Sequence, residues 1–139
     1  MSDTLRTDQL VKSYRGRRVV DGISIEVAPG EIVGLLGQNG AGKTTTFYMI
    51  MGLVRPASGS IFLGDTNVTD LPMHIRARMG VGFLSQEPSI FRKLTAEDNL
   101  KAILETLGIS KQEIEARIVD LTGDLGIEHL RKSQAYTLS

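Results

Sequence analysis

The chain has 139 residues, 41% hydrophobic and 23% charged, the composition of a single globular domain with enough apolar side chains to build a core. Its 16 basic side chains match its 16 acidic ones, so net charge offers no capture of nucleic acid or of an anionic membrane. The absence of cysteine excludes disulfides and thiolate metal sites. Met1–Arg6 lacks the apolar core of a signal peptide, and no run has the length to span a bilayer. Any membrane role must come through a partner.

Leu5 to Tyr14 reads as a strand, closed by the polar turn Arg15-Gly16-Arg17-Arg18. Val19 to Val27 alternates, with Ile23, Ile25 and Val27 on one face and Ser24 and Glu26 on the other, which predicts a half-exposed strand. Ala28-Pro29-Gly30 turns the chain into Glu31-Ile32-Val33-Gly34-Leu35-Leu36, a short apolar run with the branching of a buried strand. Two strands ahead of this one exclude a simple nucleotide-binding βαβ unit, which would begin at the run itself.

Gly37-Gln38-Asn39-Gly40-Ala41-Gly42-Lys43-Thr44 follows, and it fits the phosphate-loop pattern of spaced glycines, then Lys and a hydroxyl residue. Polyphosphate oxygens need many donors converging on a small volume. Backbone N–H groups of a folded loop, continued by the open N–H groups of a helix start, supply them. Gly37, Gly40 and Gly42 are expected to adopt unusual φ angles and keep Cβ atoms out of the way. Lys43 would place an ammonium on the β- and γ-phosphates, and the Thr44 hydroxyl would ligate Mg²⁺. A glycine-rich turn that binds nothing is the bland alternative. The strand before the loop and the helix predicted from Lys43 to Leu53 weigh against it.

Arg55-Pro56-Ala57-Ser58-Gly59 stops that helix. Ser60 to Leu63 is a short strand, Gly64 to Asn67 a turn, and Leu71-Pro72 opens a short basic helix through Arg78. Gly80 breaks it, and Val81 to Leu84 is a further strand leading to Ser85-Gln86-Glu87. Beyond this the pattern is helical. Thr95 caps a helix with Leu100, Ile103, Leu104 and Leu107 at helical spacing and Gly108 as its stop. Ser110 and Glu113 form a capping box, and Ile114, Ile118, Leu121 and Leu125 carry an apolar stripe to Gly126. Both stripes read as core. His74 and His129 stand apart, without metal-ligand spacing.

Tyr14, Val19, Gly30 to Gly37, Asn39 to Thr46 and Gln86 occur in the order found in ATP-binding subunits of ABC transporters, and the resemblance runs from Leu5 to the last residue. Gly16 to Val20, Thr46 to Met49 and Ser89 to Leu94 are similar to the lipopolysaccharide-export branch of that family. The resemblance implies an α/β fold: a P-loop NTPase of ABC type, with an N-terminal antiparallel β subdomain and part of a parallel core sheet over residues 1–87, leading into a helical subdomain over 88–139. It implies Mg²⁺ and ATP as cofactor and substrate. Tyr14 would stack on adenine and Val19 line the base. Gly37, Gln38, Asn39, Gly40, Ala41, Gly42, Lys43, Thr44 and Thr45 would hold the phosphates, with Lys43 also catalytic. Gln86 would reach Mg²⁺ and the attacking water, a task suited to a neutral amide that accepts and donates. Partners implied are a second full-length copy and a membrane-spanning subunit gripped near Phe91 and Arg92, with the protein at the inner face of the cell membrane. No nucleic-acid partner is implied.

The resemblance also implies parts that residues 1–139 do not carry. No apolar strand ends in Asp-Glu, the downstream histidine is absent, and the family's signature would begin at Leu138-Ser139. The piece is therefore expected to bind ATP with little or no hydrolysis, to lack the later core strands, and to be marginally stable. An ATP-binding module without turnover and a soluble ABC ATPase outside transport are the alternative readings. A GTPase is disfavoured, because no Asn-Lys-x-Asp motif follows the loop.

Overall fold

A computed structural model describes residues 4–85 and 90–138. Strand β1 (Leu5–Tyr14) and strand β2 (Arg17–Val27) form an antiparallel hairpin. The two residues between them, Arg15 and Gly16, have φ of 49° and 77°, the left-handed pair that matches the twist of a tight hairpin. Strand β3 (Ser58–Leu63) pairs antiparallel on the other edge of β1, and the two-residue β4 (Thr66–Asn67) follows it, giving the order β2-β1-β3-β4. Gly59 lies under a register shift in β1. Its φ is +92°, and an added Cβ would sit 2.4 Å from the Gln9 carbonyl oxygen, so the two backbones approach there as only glycine permits.

Helix α1 (Lys43–Met51) packs on this sheet. Its sequence, with three threonines in the first turn, is a modest helix former, so tertiary packing has to hold it. Met49 is buried with Leu10, Val20, Ile61 and Val68, which come from β1, β2, β3 and the residue after β4. Gly52 ends the helix in the left-handed conformation. Helix α2 (Met73–Arg78) then places Arg76 against that end.

In the second segment, helix α3 (Ala96–Leu104) starts at Thr95, whose hydroxyl oxygen accepts from the Asp98 N–H at 3.0 Å. A 3₁₀ turn (Glu105–Leu107) and Gly108 end it. Helix α4 (Lys111–Asp124) opens with the complete capping box of Ser110 and Glu113. Leu104, Ile114 and Ile118 form a small core with Leu100 and Ile109 around it. Residues after α4 return across the start of α3: Ala96 and Glu97 donate their N–H groups to the carbonyls of Ser133 and Arg131, and Ala135 and Tyr136 donate theirs to Leu94 and Arg92. Residues 1–84 and 85–139 form two compact units.

Several expected elements differ. Glu31 to Leu36 is not a strand, and Ile32 and Leu36 are more than nine-tenths exposed. Val81 to Leu84 is likewise not a strand, with Leu84 exposed. The sheet among the described residues is wholly antiparallel. A parallel strand takes its hydrogen bonds from neighbours on both sides, and among the described residues no strand flanks either run, so apolar composition alone does not make them strands. In α3 and its 3₁₀ turn, Ile103 and Leu107 are exposed rather than core. In α4, Leu121 and Leu125 are exposed, while Thr122 takes the buried place. The residues that continue the face of Ile114 and Ile118 step by four, which leads to position 122, and Thr122 donates its hydroxyl to the Ile118 carbonyl at 2.7 Å. Thr66–Asn67, expected as part of a turn, is a short paired strand.

Candidate functional site

The loop Gly37–Gly42 leads from the exposed run into α1. Gly40 and Gly42 take φ of 81° and 87°, while Gly37 is not among the positive-φ glycines, contrary to the expectation for it. Gly42 is the constrained position. A Cβ there would lie 2.1 Å from the Val19 carbonyl oxygen and 3.0 Å from the Val20 side chain, well inside van der Waals contact. The loop is therefore seated directly on β2, and Val19 meets the glycine that begins the helix. The Ala41 N–H donates to the Gln38 carbonyl at 3.1 Å, and the Thr46 N–H to that of Gly42 at 2.8 Å.

Gly42 is the N-cap of α1 and brings no side-chain acceptor, and the first turn contains no acidic residue. The N–H groups at a helix start and the positive end of its dipole favour an anion. Here neither a cap nor a carboxylate of the helix answers them. Lys43 lies at the same end, its ammonium donating to the carbonyls of Gly37 at 2.5 Å and Gln38 at 2.7 Å. The cation is thus held over the loop, on contacts that a polyanion can exchange for its own oxygens. Thr44 is exposed and Thr45 half-buried, whereas Thr46 is buried and turns its hydroxyl back to the Gly42 carbonyl at 3.0 Å. Gln38, Asn39 and Ala41 are exposed on the loop.

Tyr14 closes β1, 46% exposed, and pairs with Arg17. Two residues further along β2 comes Val19, and through Val19 the hairpin meets the loop. Lys12 Nζ stands 5.5 Å from the centre of the Tyr14 ring. Gln86 lies outside the described residues, as do Ser89 and Ser139. Phe91 is 64% exposed. Its backbone is held on both sides by the Asn99 amide, which accepts from the Phe91 N–H at 2.8 Å and donates to its carbonyl at 3.1 Å.

A model of the ABC transporter family matches residues 20–139. The chain belongs to this family. It is 55% identical over 139 residues to the lipopolysaccharide export system ATP-binding protein LptB of Acidithiobacillus ferridurans, covering 100% of this chain and 58% of that protein. It is 50% identical over 137 residues to LptB of Escherichia coli strain K12, covering 98% of this chain and 57% of that one. An ATP-binding cassette of an ABC transporter superposes with a TM-score of 0.84 at 26% identity, over 99% of this chain and 59% of that structure. The chain thus spans somewhat more than half the length of these relatives. Its fold is that of the ABC-type P-loop NTPases, and the antiparallel sheet, the loop and α1 are the parts of that fold seen among the described residues.

Other residues of this ABC chain had no sequence signal pointing to their roles. Arg76 is 1% exposed. It donates to the carbonyls of Met49 and Ile50 at the end of α1 (2.8 and 2.6 Å) and to those of Leu71 and Thr69 (2.8 and 2.9 Å). Burial lowers its pKa, and Asp70 opposes that shift. A cation at a helix C-terminus is favourable, so α1 has a bound arginine at one end and open donors at the other. Arg131 bridges Glu97 and Glu115 at 3.1 and 2.8 Å, and Lys132 reaches Glu97 at 3.0 Å. The hydrogen bond from Lys132, aided by Arg131, holds the Glu97 pKa below its ordinary value.

Proposed function

We propose that these residues bind Mg-ATP: the phosphates on Gly37 to Thr45, Mg²⁺ at Thr44 with Gln86, and the base on Tyr14 and Val19. The observation that carries this is the seat of Gly42 on the Val19 carbonyl, which leaves the N-terminus of α1 without a cap or an acid and with Lys43 beside it. Such an end suits a bound triphosphate. Mg²⁺ prefers hard oxygen ligands and phosphate oxygens, and a hydroxyl at Thr44 is a fitting protein contribution.

In a protein of the relatives' full length, ATP hydrolysis would drive an ABC transporter, with Lys43 and Gln86 in catalytic roles. Two copies would close on nucleotide, and a membrane-spanning subunit would dock near Phe91 and Arg92 at the inner face of the cell membrane. The names of the similar proteins support lipopolysaccharide export as the transport system. Among the described residues no helix is long and apolar enough to cross a membrane.

For residues 1–139 by themselves we assign binding without turnover. Hydrolysis in P-loop enzymes draws on an acid at the end of a buried strand. Ile118-Val119-Asp120 lies within α4, and Val19-Val20-Asp21 lies in the middle of β2, so neither aspartate ends a strand among the described residues. Calorimetric titration of the 139-residue chain with Mg-ATP should show saturable binding that Lys43→Ala weakens at least ten-fold, with phosphate release at background. Equal binding by Lys43→Ala would refute the assignment of the loop, and turnover abolished by Lys43→Ala would refute the assignment without hydrolysis.

A further inference from the structure

Lys12 and Tyr14 are two positions apart on β1, with a register shift against β2 between Lys12 and Ser13, and the Lys12 side chain reaches the Tyr14 ring. The Lys12 ammonium has two partners. It stands over the Tyr14 ring, 5.5 Å from its centre, within the range of a cation–π contact. It also donates to the Arg55 carbonyl at 2.6 Å, across 43 positions of sequence. Arg55 belongs to the segment that leaves the C-terminal end of α1, so the lysine is bonded to the backbone beyond the helix that carries the phosphate loop. The backbone of Tyr14 is fixed as well, paired with Arg17 at the mouth of the tight Arg15-Gly16 turn. The ring is therefore held at its base by the hairpin and covered on one face by an anchored cation, yet remains about half exposed.

We infer that Lys12 is a positioning residue for the nucleobase. It occupies one face of Tyr14, leaves the opposite face for a purine, and orders the ring before the nucleotide arrives. This rests on the nucleotide site proposed above. An aromatic side chain that is ordered beforehand loses less freedom on binding. A cation on one face cannot be displaced by the base without breaking its bond to Arg55. The contribution of Lys12 then belongs to the base and not to the phosphates, which distinguishes it from a strap that merely ties β1 to Arg55.

The test compares two ligands on one protein, Mg-ATP and Mg-tripolyphosphate, which lacks the nucleoside. Lys12→Met keeps the apolar stem and removes the charge. It should weaken ATP binding about two- to five-fold, the range of an exposed cation–π contact, and leave tripolyphosphate affinity unchanged. Lys12→Arg, which can both stack and donate, should restore ATP binding. Equal weakening of both ligands by Lys12→Met, or no change in either, would overturn the inference. Lys43→Ala separates it from the underlying reading, since that variant should lose both ligands. If Lys43→Ala keeps both, or if neither ligand binds the unaltered chain, the phosphate-loop assignment fails and this inference with it.

Discussion

Replacing Arg76 by Met removes a buried guanidinium that donates to four carbonyls: Met49, Ile50, Leu71 and Thr69. Met fills much of the space but donates nothing, so the carbonyls lose their partner in an interior where Arg76 is 1% exposed. A buried polar group left unmade costs about 1–3 kcal/mol. The low end applies, because the Met49 carbonyl keeps a second donor in the Gly52 N–H at 3.1 Å. The Ile50, Leu71 and Thr69 carbonyls then count, the last two only part-buried, and three groups at about 1 kcal/mol each give about 3 kcal/mol, a sizeable share of the roughly 5–15 kcal/mol that typically holds a domain together. The loss should be local first, since the carbonyls at risk include the last ones of α1. Native-state hydrogen exchange of a peptide spanning 43–52 reads it directly. At 1.36 kcal/mol per factor of ten, protection should fall by about two orders of magnitude in Arg76→Met and by less in Arg76→Lys, which keeps a charge and some of the bonds. A fall of less than ten-fold in Arg76→Met would show that the carbonyls find water or other donors, and the reasoning would be wrong.

Gly42→Ala should abolish Mg-ATP binding, because its Cβ would lie 2.1 Å from the Val19 carbonyl oxygen at a φ of +87°. Retained affinity in a titration would mean the loop is not seated as described. Ser110→Ala removes the acceptor of the Glu113 N–H and should destabilise α4 by about 1 kcal/mol, measured as a shift of the urea midpoint of its helical signal. Glu97 has its pKa lowered in the folded state, chiefly by the Lys132 hydrogen bond, so it binds its proton less readily folded than unfolded. Its contribution is present above its ordinary value of 4.5 and is lost as pH falls below it. The tie between Glu97 and the Arg131–Lys132 segment should then loosen, seen as faster exchange of the Ala96 and Glu97 amides. Glu97→Gln should flatten that dependence.

Local signals were the legible ones. β1 was read to its observed ends, because its composition and the polar turn after it are written in consecutive residues. The capping box at Ser110 and the stop at Gly108 are equally local. The loop's place ahead of α1 and the positive φ of Gly40 and Gly42 follow from a motif that sets residue types at short spacing, whereas the φ of Gly37 does not follow. What the sequence left dark is non-local. Glu31 to Leu36 has the composition of a buried strand, but strand pairing depends on a neighbour that composition does not name. Arg76 reads as one more charge on a basic helix, and nothing near it in sequence shows that the carbonyls at the end of α1 lie within its reach. Thr122 is polar by type, yet it is buried because its hydroxyl bonds to the turn before it. Leu121 and Leu125, more apolar, fall on neighbouring rows and stay exposed. The seat of Gly42 on Val19 sets the loop before α1 against β2, a contact that nothing in the local sequence of either segment announces.

The central claim is that the start of α1 and the loop before it form the triphosphate seat. Amide chemical-shift mapping of the 139-residue chain during titration with Mg-ATP tests it most directly. The largest changes should fall at the N–H groups of Gly40 to Thr45, with a second set at Tyr14 and Val19. Binding that leaves Gly40 to Thr45 unshifted, with its changes elsewhere in the chain, would contradict it.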